Sequence, residues 1–400
     1  MPGPGTPRIL IEMTAAGGTL LGFVTWDRDE PTGGNVYNLA LITELRALGI
    51  DVQLQKLAGP WPDGDASTHL MLARALRAAP ACLVDGIVAS GSPDVVAAAV
   101  DSGHAVTIMI HLPISDELSL EPAERQRYAL LESRSVHAAS GVLCSSRWAA
   151  AELGRRYGRD DVGVAIPGVT PAAVAHGSLD SGPPRFLSVA SLTPTKDQLT
   201  LVRALSALAD LRWTADLIGS DQTDPDYAAQ VRAEIVAAGL AERVMVPGIL
   251  AGQALDQKFD TADLLILPSR IETYGLVVIE ALARGIPAVV SAGTGAVEAL
   301  QAGATPDSAE TPGTAVPAGD PESLAAVLRR WLTEPMLREA WRQRALARRD
   351  TLPGWQQTAE AVLKYLHRRP KSPSTPAGLP PALPPTPRPG PPLSTPSSPS

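Results

Sequence analysis

The sequence predicts an α/β protein built from two doubly wound, mostly parallel sheets, and three observations predict it. Its 400 residues exceed what one hydrophobic core usually organises. Hydrophobic residues make up 45% of the chain against 19% charged, the balance of a globular protein. Short apolar runs alternate with helical stretches through most of its length, the rhythm of crossover connections between parallel strands.

Taken in order, Arg8 to Met13 reads as a first strand and Leu20 to Thr25 as a second extended piece. Pro31-Thr32-Gly33-Gly34 leads into a helix from about Asn35 to Leu48. There Val36, Leu39, Ile42, Leu45 and Leu48 recur near helical spacing, and Gly49 stops the helix. A strand follows at 51–57. Further apolar strands at 82–88, 106–110 and 141–144 alternate with helices near 66–78, 93–101, 121–138 and 146–157. A polar stretch with Pro, Gly and Ser near 167–184 separates this unit from a second one. The second unit is expected as strand 185–191, helix 197–209, strand 213–219, helix 225–239, strand 243–247, helix 253–260, strand 263–267, helix 274–284 and strand 286–291. Helices near 321–333, 335–349 and 354–368 complete it. From Pro370 to Ser400 the composition shifts to Pro, Ser, Thr and Gly, which builds no core and is expected to be disordered or polyproline-like. The domain plan is 1–172, a linker at 173–184, a second domain at 185–353, a closing helix at 354–369 and a tail at 370–400.

A net charge of −8 argues against nucleic acid as the main partner. The arginine-rich run Arg338 to Arg349 leaves peripheral contact with an anionic membrane open, although a solvated helix face is the simpler reading. No uncharged apolar run approaches the ~20 residues needed to cross a bilayer. The start, Met-Pro-Gly-Pro-Gly, has no basic segment followed by an apolar one, so no signal peptide and a cytoplasmic location are expected. Cys82 and Cys144 lie far apart in apolar segments and read as reduced core residues. There is no phosphate-binding Walker loop, no Gly-x-Ser-x-Gly elbow and no clustered Cys/His set, so neither a metal nor a cofactor is expected.

The most informative stretch is 268–284, Pro-Ser-Arg-Ile-Glu-Thr-Tyr-Gly-Leu-Val-Val-Ile-Glu-Ala-Leu-Ala-Arg. It places Glu272 on a turn, opens a helix with Tyr274-Gly275 and sets Glu280 within it. That helix is apolar nearly all round (Val277, Val278, Ile279, Ala281, Leu282, Ala283), the mark of a buried helix. A carboxylate there needs a partner, because burying it unpaired costs several kcal/mol. The ordinary explanation is an i,i+4 pair of Glu280 with Arg284. The functional one is a ligand whose phosphate meets the helix start at Gly275 and whose hydroxyls reach Glu280, as a nucleoside diphosphate would. Gly33-Gly34, just before another helix, is either a second phosphate cradle or a plain turn. Lys196 precedes a helix start, where a cation is unfavourable unless an anion joins it. His111 ends the strand at 106–110, where doubly wound sheets place ligands.

The spacing Glu272-x7-Glu280, followed by Ala-Leu-Ala-Arg-Gly-Ile-Pro-Ala-Val-Val-Ser and by Gly293, Gly295 and Glu298, resembles the retaining glycosyltransferases of family 4. Pro-Thr-Gly-Gly-Asn-x-Tyr-Asn at 31–38 is similar to that family's glycine-rich loop. The resemblance covers about residues 8–368. It implies the GT-B fold: two Rossmann-like domains facing a cleft, the first on the acceptor side and the second binding the nucleotide sugar, with a C-terminal helix crossing back onto the first.

It further implies that Glu272 lies by the donor sugar and Glu280 binds the ribose. Lys196 and the N–H groups of Tyr274, Gly275, Leu276 and Val277 would meet the diphosphate. Gly33 and Gly34 would face the phosphates and acceptor, and His111 the sugar. Ile249, after Gly248, would lie against the base. Ser145-Ser146-Arg147 resembles the strand-end serine of the family, and a helix cap explains it equally well. The family's usual arginine near Ser191 or Thr195 is missing, and Arg270 is the candidate to compensate. The implied activity is retaining transfer of a hexose from a nucleotide-diphosphate sugar to a hydroxyl of a glycan, lipid or small metabolite. The rivals are a GT-B nucleotide-sugar 2-epimerase and a non-catalytic nucleotide-sugar-binding protein.

Overall fold

The computed structural model describes residues 19–28, 31–178, 182–305 and 310–367. The strand expected at 8–13 and the Pro-rich tail lie outside the described residues. The first sheet holds β1 (Thr19–Trp26), β2 (Ile50–Leu57), β3 (Ala81–Asp85), β4 (Ala105–Ile110), β5 (Gly141–Cys144) and β6 (Gly163–Val164) in the order β2-β1-β3-β4-β5-β6. The second holds β7 (Arg185–Val189), β8 (Thr214–Ile218), β9 (Val244–Gly248), β10 (Leu264–Leu267), β11 (Ala288–Ser291) and β12 (Gly313–Val316) in the order β12-β11-β10-β7-β8-β9. All neighbouring strands are parallel.

Helices cover the sheets, so β3, β4, β5, β10 and β11 are buried along their whole length. Sequences such as Leu-Leu-Ile-Leu and Ala-Val-Val-Ser are what such strands require. Each sheet reverses its direction of growth once, between β1 and β3 in the first and between β7 and β10 in the second. The crevice at the carboxyl ends of the strands flanking a reversal is where open α/β sheets bind ligands.

The predicted elements differ from the observed ones mainly at their ends. The strand expected at 82–88 stops at Asp85, whose carboxylate accepts from the Ile87 N–H at 3.1 Å and caps a short Gly86–Ala89 helix. The helix expected from Tyr274 begins at Leu276, because Gly275 takes φ +87° and breaks the turn before it. β6, β12 and the Ala296–Leu300 helix are too short for periodicity to reveal.

The Trp355–Leu366 helix returns to the first sheet's side. Ala359, Val362 and Leu366 join the core of β1, β3 and β4 there. Tyr365 Oη accepts from the Val142 N–H and donates to the Asp161 carbonyl, both at 3.0 Å. A Cβ on Gly163 would sit 2.4 Å from the Tyr365 ring, so that glycine makes room for the returning helix. The two chain crossings run side by side, with the Val169 N–H donating to the Pro353 carbonyl at 2.9 Å.

The arginine-rich run is not a basic surface patch. Arg349 donates to the carbonyls of Ala283 and Ala172, Arg342 to that of Ala175 and Arg348 to that of Glu310. The bonds to Ala172 and Ala175 fasten the linker segment there to the Pro335–Arg348 helix and its end. Cys82 and Cys144 are buried and unbridged, and burial pushes both thiols up to about 12. Among the described residues no helix is long and apolar enough to cross a membrane.

Candidate active site

The Gly33–Ala47 helix and the Leu276–Ala283 helix bring their N-termini together, one from each sheet. A Cβ on Gly33 would lie 3.8 Å from Leu276 Cδ1. Gly33 and Gly34 are therefore the first two residues of a helix, not a loop before it. Thr32 caps that helix, its Oγ1 accepting from the Asn35 N–H at 3.2 Å, while the N–H groups of Gly33 and Gly34 have no intrahelical partner. Gly34 has a steric reason to be glycine, since a Cβ there would stand 3.0 Å from His111 Cδ2.

Lys196 and Glu272 lie on the loops that follow β7 and β10, the strands flanking the reversal of the second sheet. They form an ion pair, Lys196 Nζ to Glu272 Oε2 at 2.7 Å, with side chains 23% and 10% exposed. The Tyr274 N–H points to Glu272 Oε1 at 3.4 Å. The anion that settles the helix after Lys196 is Asp197, which caps it from a left-handed conformation at φ +51°. Lys196 itself is free to reach across to Glu272.

One expectation is corrected here, the pairing of Glu280 with Arg284. The Tyr274 side chain is 2% exposed and belongs to the second core, so only its backbone faces the loop. Arg270 donates from Nε to Asp197 Oδ2 at 2.9 Å, and its side chain remains 50% exposed. Arg284 does not pair with the Glu280 carboxylate. It donates to the Glu280 backbone carbonyl at 3.1 Å and to Asp256 Oδ1 at 2.7 Å.

Glu280 thus stands half-buried on an otherwise buried helix, with no side-chain hydrogen bond among the described residues. Burial raises its pKa above the ordinary carboxylate range, against the pull of Arg284 and with a push from Asp256. An unpaired carboxylate held among apolar residues is a strong acceptor for hydroxyls. Val277 is buried at the helix start, and Ile249 stands 43% exposed just after β9.

His111 follows β4, and its Nε2 meets Asn38 Oδ1 at 2.8 Å. Its ring packs edge-on against Tyr37 with centroids 5.0 Å apart. Burial lowers its pKa, with Asp85 acting the other way. Burial thus favours the neutral imidazole.

Several groups join the two sheets, and only Ser146, which caps the Arg147–Tyr157 helix, had a reading from sequence. Thr273 Oγ1 donates to the His111 carbonyl and Ser146 Oγ to the Thr273 carbonyl, each at 2.5 Å. Glu298 Oε2 accepts from the Arg147 and Trp148 N–H groups at 2.9 and 3.2 Å, capping a first-domain helix from the second domain. Thr195, where the basic residue is missing, accepts from the Leu118 N–H at 2.8 Å and meets Glu117. Gly295 is required because a Cβ there would lie 2.0 Å from the Thr273 carbonyl oxygen. The Gly-x-Gly-x-x-Glu pattern was a signal for Gly295 and Glu298. Asn38, polar on the buried face of an apolar helix, was a signal for the first domain.

Two six-stranded parallel sheets with helices on both faces, facing each other and joined by a returning C-terminal helix, define a GT-B protein. Residues 172–348 match the family described as Glycosyl transferases group 1. The chain is 32% identical over 292 residues to the D-inositol 3-phosphate glycosyltransferase of Kineococcus radiotolerans, covering 67% of this chain and 66% of the relative. It is 30% identical over 264 residues to the enzyme of that name from Streptomyces avermitilis, covering 60% and 54%. The chain thus spans less than two thirds of the length of these relatives.

Among solved structures it resembles sucrose-phosphate synthase from Thermosynechococcus elongatus, with a TM-score of 0.71, 19% identity and coverage of 86% and 97%. It also resembles Anabaena Alr3699/HepE in complex with UDP-glucose, with a TM-score of 0.71, 17% identity and coverage of 87% and 99%. At these identities the likeness speaks for the fold.

Proposed function

We propose that the protein transfers a hexose, with retention at the anomeric carbon, from a nucleotide-diphosphate sugar to an acceptor hydroxyl. One observation carries the reading: two helix N-termini converge at Gly33 and Leu276 beside the Lys196–Glu272 pair, with the unpaired Glu280 one helix turn further along. In this reading the diphosphate docks on the N–H groups of Leu276 and Val277 and draws Lys196 from Glu272. Negative charge growing on the leaving β-phosphate is then met by Lys196 and by fixed dipoles in a water-poor cleft. Glu272, released, accepts from sugar hydroxyls, Glu280 from the ribose, and Ile249 lines the base. Gly33 and Gly34 face the phosphates and the incoming acceptor, and His111 faces the sugar. No side chain is placed as a nucleophile, which suits attack and departure on one face of the sugar.

The relatives' names and the UDP-glucose bound in HepE support a nucleotide sugar as donor and make UDP-glucose the first probe. A second reading, a non-catalytic nucleotide-sugar-binding protein, draws on the scarcity of free cations. Lys196 and Arg270 are both paired and Thr195 is not basic. Thermal-shift and calorimetric titration with UDP-, GDP- and ADP-sugars, followed by turnover with glycan, lipid and polyol acceptors, tests both. Binding without transfer to any acceptor favours the second, and a new epimer formed from donor alone defeats both.

A further inference from the structure

Behind His111 lies a chain of buried polar groups that the reading above does not use. Asp85, 6% exposed, ends β3 at the reversal of the first sheet. Its Oδ1 accepts from the Ile87 N–H at 3.1 Å, and its Oδ2 accepts from Asn38 Nδ2 at 2.6 Å and from Thr25 Oγ1 at 3.4 Å. Asn38, 3% exposed, lies between Asp85 and His111. The Ile87 N–H and the Thr25 hydroxyl both donate to this carboxyl group, which makes Asp85 an acceptor, and the Asn38 amide must then turn its NH2 towards it. The other end of the amide, Oδ1, is left facing His111 Nε2 at 2.8 Å. A carbonyl oxygen only accepts, so Nε2 must carry the proton.

We propose that Asn38 and Asp85 are positioning residues that hold His111 as the neutral Nε2–H tautomer and so offer its Nδ1 lone pair to a hydroxyl of the bound sugar. The hydroxyl contact rests on the proposed function, whereas the tautomer does not. Nδ1 has no protein partner among the described residues and is not among the atoms sealed from solvent. The ring cannot turn freely, because Gly34 and Tyr37 pack against it and the His111 carbonyl is tied to Thr273 of the other domain. A bare Nδ1 accepts but does not donate. The site therefore selects a sugar with a hydroxyl at that point and discriminates against a fluorine or an ether.

The test is long-range proton–nitrogen NMR on protein labelled with 15N-histidine, with His111 assigned through His111→Gln. The expected result near pH 7.5 is a bare Nδ1 and a protonated Nε2. In Asp85→Asn either end of the amide at 85 can face Asn38, so mixed tautomers are expected. Loss of the shell behind a site residue costs ~10-fold or more in activity, and kcat is expected to fall by that much. Asn38→Ala should also mix the tautomers. A protonated Nδ1 in the unmodified protein, or an unchanged Nε2–H form in Asp85→Asn, overturns the proposal, and the first of these needs no variant to fold. With the UDP, GDP and ADP conjugates of glucose, the conjugate that raises the melting temperature should move the Nδ1 resonance. Binding without that movement overturns the hydroxyl contact. The absence of binding by all three speaks against the proposed function and leaves the tautomer result standing.

Discussion

The two halves of the site occupy equivalent topological positions, at the carboxyl ends of the strands flanking a sheet reversal, yet they hold their groups in different ways. In the second domain, Lys196 and Glu272 stand on adjacent loops and pair with each other, while Glu280 projects from its helix unpaired. In the first domain the carboxyl group at the reversal, Asp85, is buried behind Asn38, which in turn meets the ring of His111. On the proposed function, the contrast means that one half would meet charge and the other hydroxyls. A diphosphate needs countercharge that can be released to it, whereas a sugar and its acceptor need hydrogen-bond acceptors of fixed orientation.

The comparison can be broken most sharply at Lys196. Lys196→Met should lower kcat by roughly 10²–10³-fold, the loss seen when one group stabilising a developing oxyanion is removed. Steady-state assay with the identified donor checks it, and a loss of only a few-fold would remove the charged role of the second half.

The next effect is on stability. Gly295→Ala places a methyl 2.0 Å from the Thr273 backbone oxygen, and should cost about 3 kcal/mol in urea unfolding. Gly33→Ala meets only a flexible Leu276 methyl at 3.8 Å and should stay within about 1 kcal/mol of the parent. Equal costs would contradict the packing that joins the two helix starts.

Glu280→Ala should weaken donor binding roughly 10- to 100-fold in calorimetry, the worth of hydrogen bonds to a charged group. Glu272→Ala should instead cut turnover more than binding. Small, similar effects from both would erase the division of labour within the second half.

The smallest expected effect is a pH dependence particular to the first half. Glu132 is fully buried, accepts from the Ile114 N–H at 3.0 Å on the loop after His111, and has one oxygen without a partner. Burial raises its pKa to about 7 from 4.5, against the nearby Arg156. A pKa raised on folding means its stabilisation is full below about 4.5 and is lost as pH rises through about 7. Glu132→Gln should flatten that decline, by on the order of 1–2 kcal/mol between pH 5 and 8 in thermal melts. An unchanged pH profile would show that the loop is not held in this way.

The sequence by itself determined the alternation of buried strands and covering helices. It also determined the helix carrying Glu280 and the glycines at positions where a left-handed turn or a close approach leaves no room for a side chain. These are local consequences: an all-apolar strand belongs inside a parallel sheet, and Gly275 at φ +87° ends the turn before Leu276. The charged half was legible because its residues fall within one short stretch plus one loop. Only the tertiary structure decided the pairings: Lys196 with Glu272, Arg270 with Asp197, Arg284 with Asp256, and Asp85 with Asn38. Each joins residues far apart in sequence or chooses among several reachable partners. A long side chain's partner is set by which strand ends the sheet order brings together, and spacing along the chain carries no record of that order.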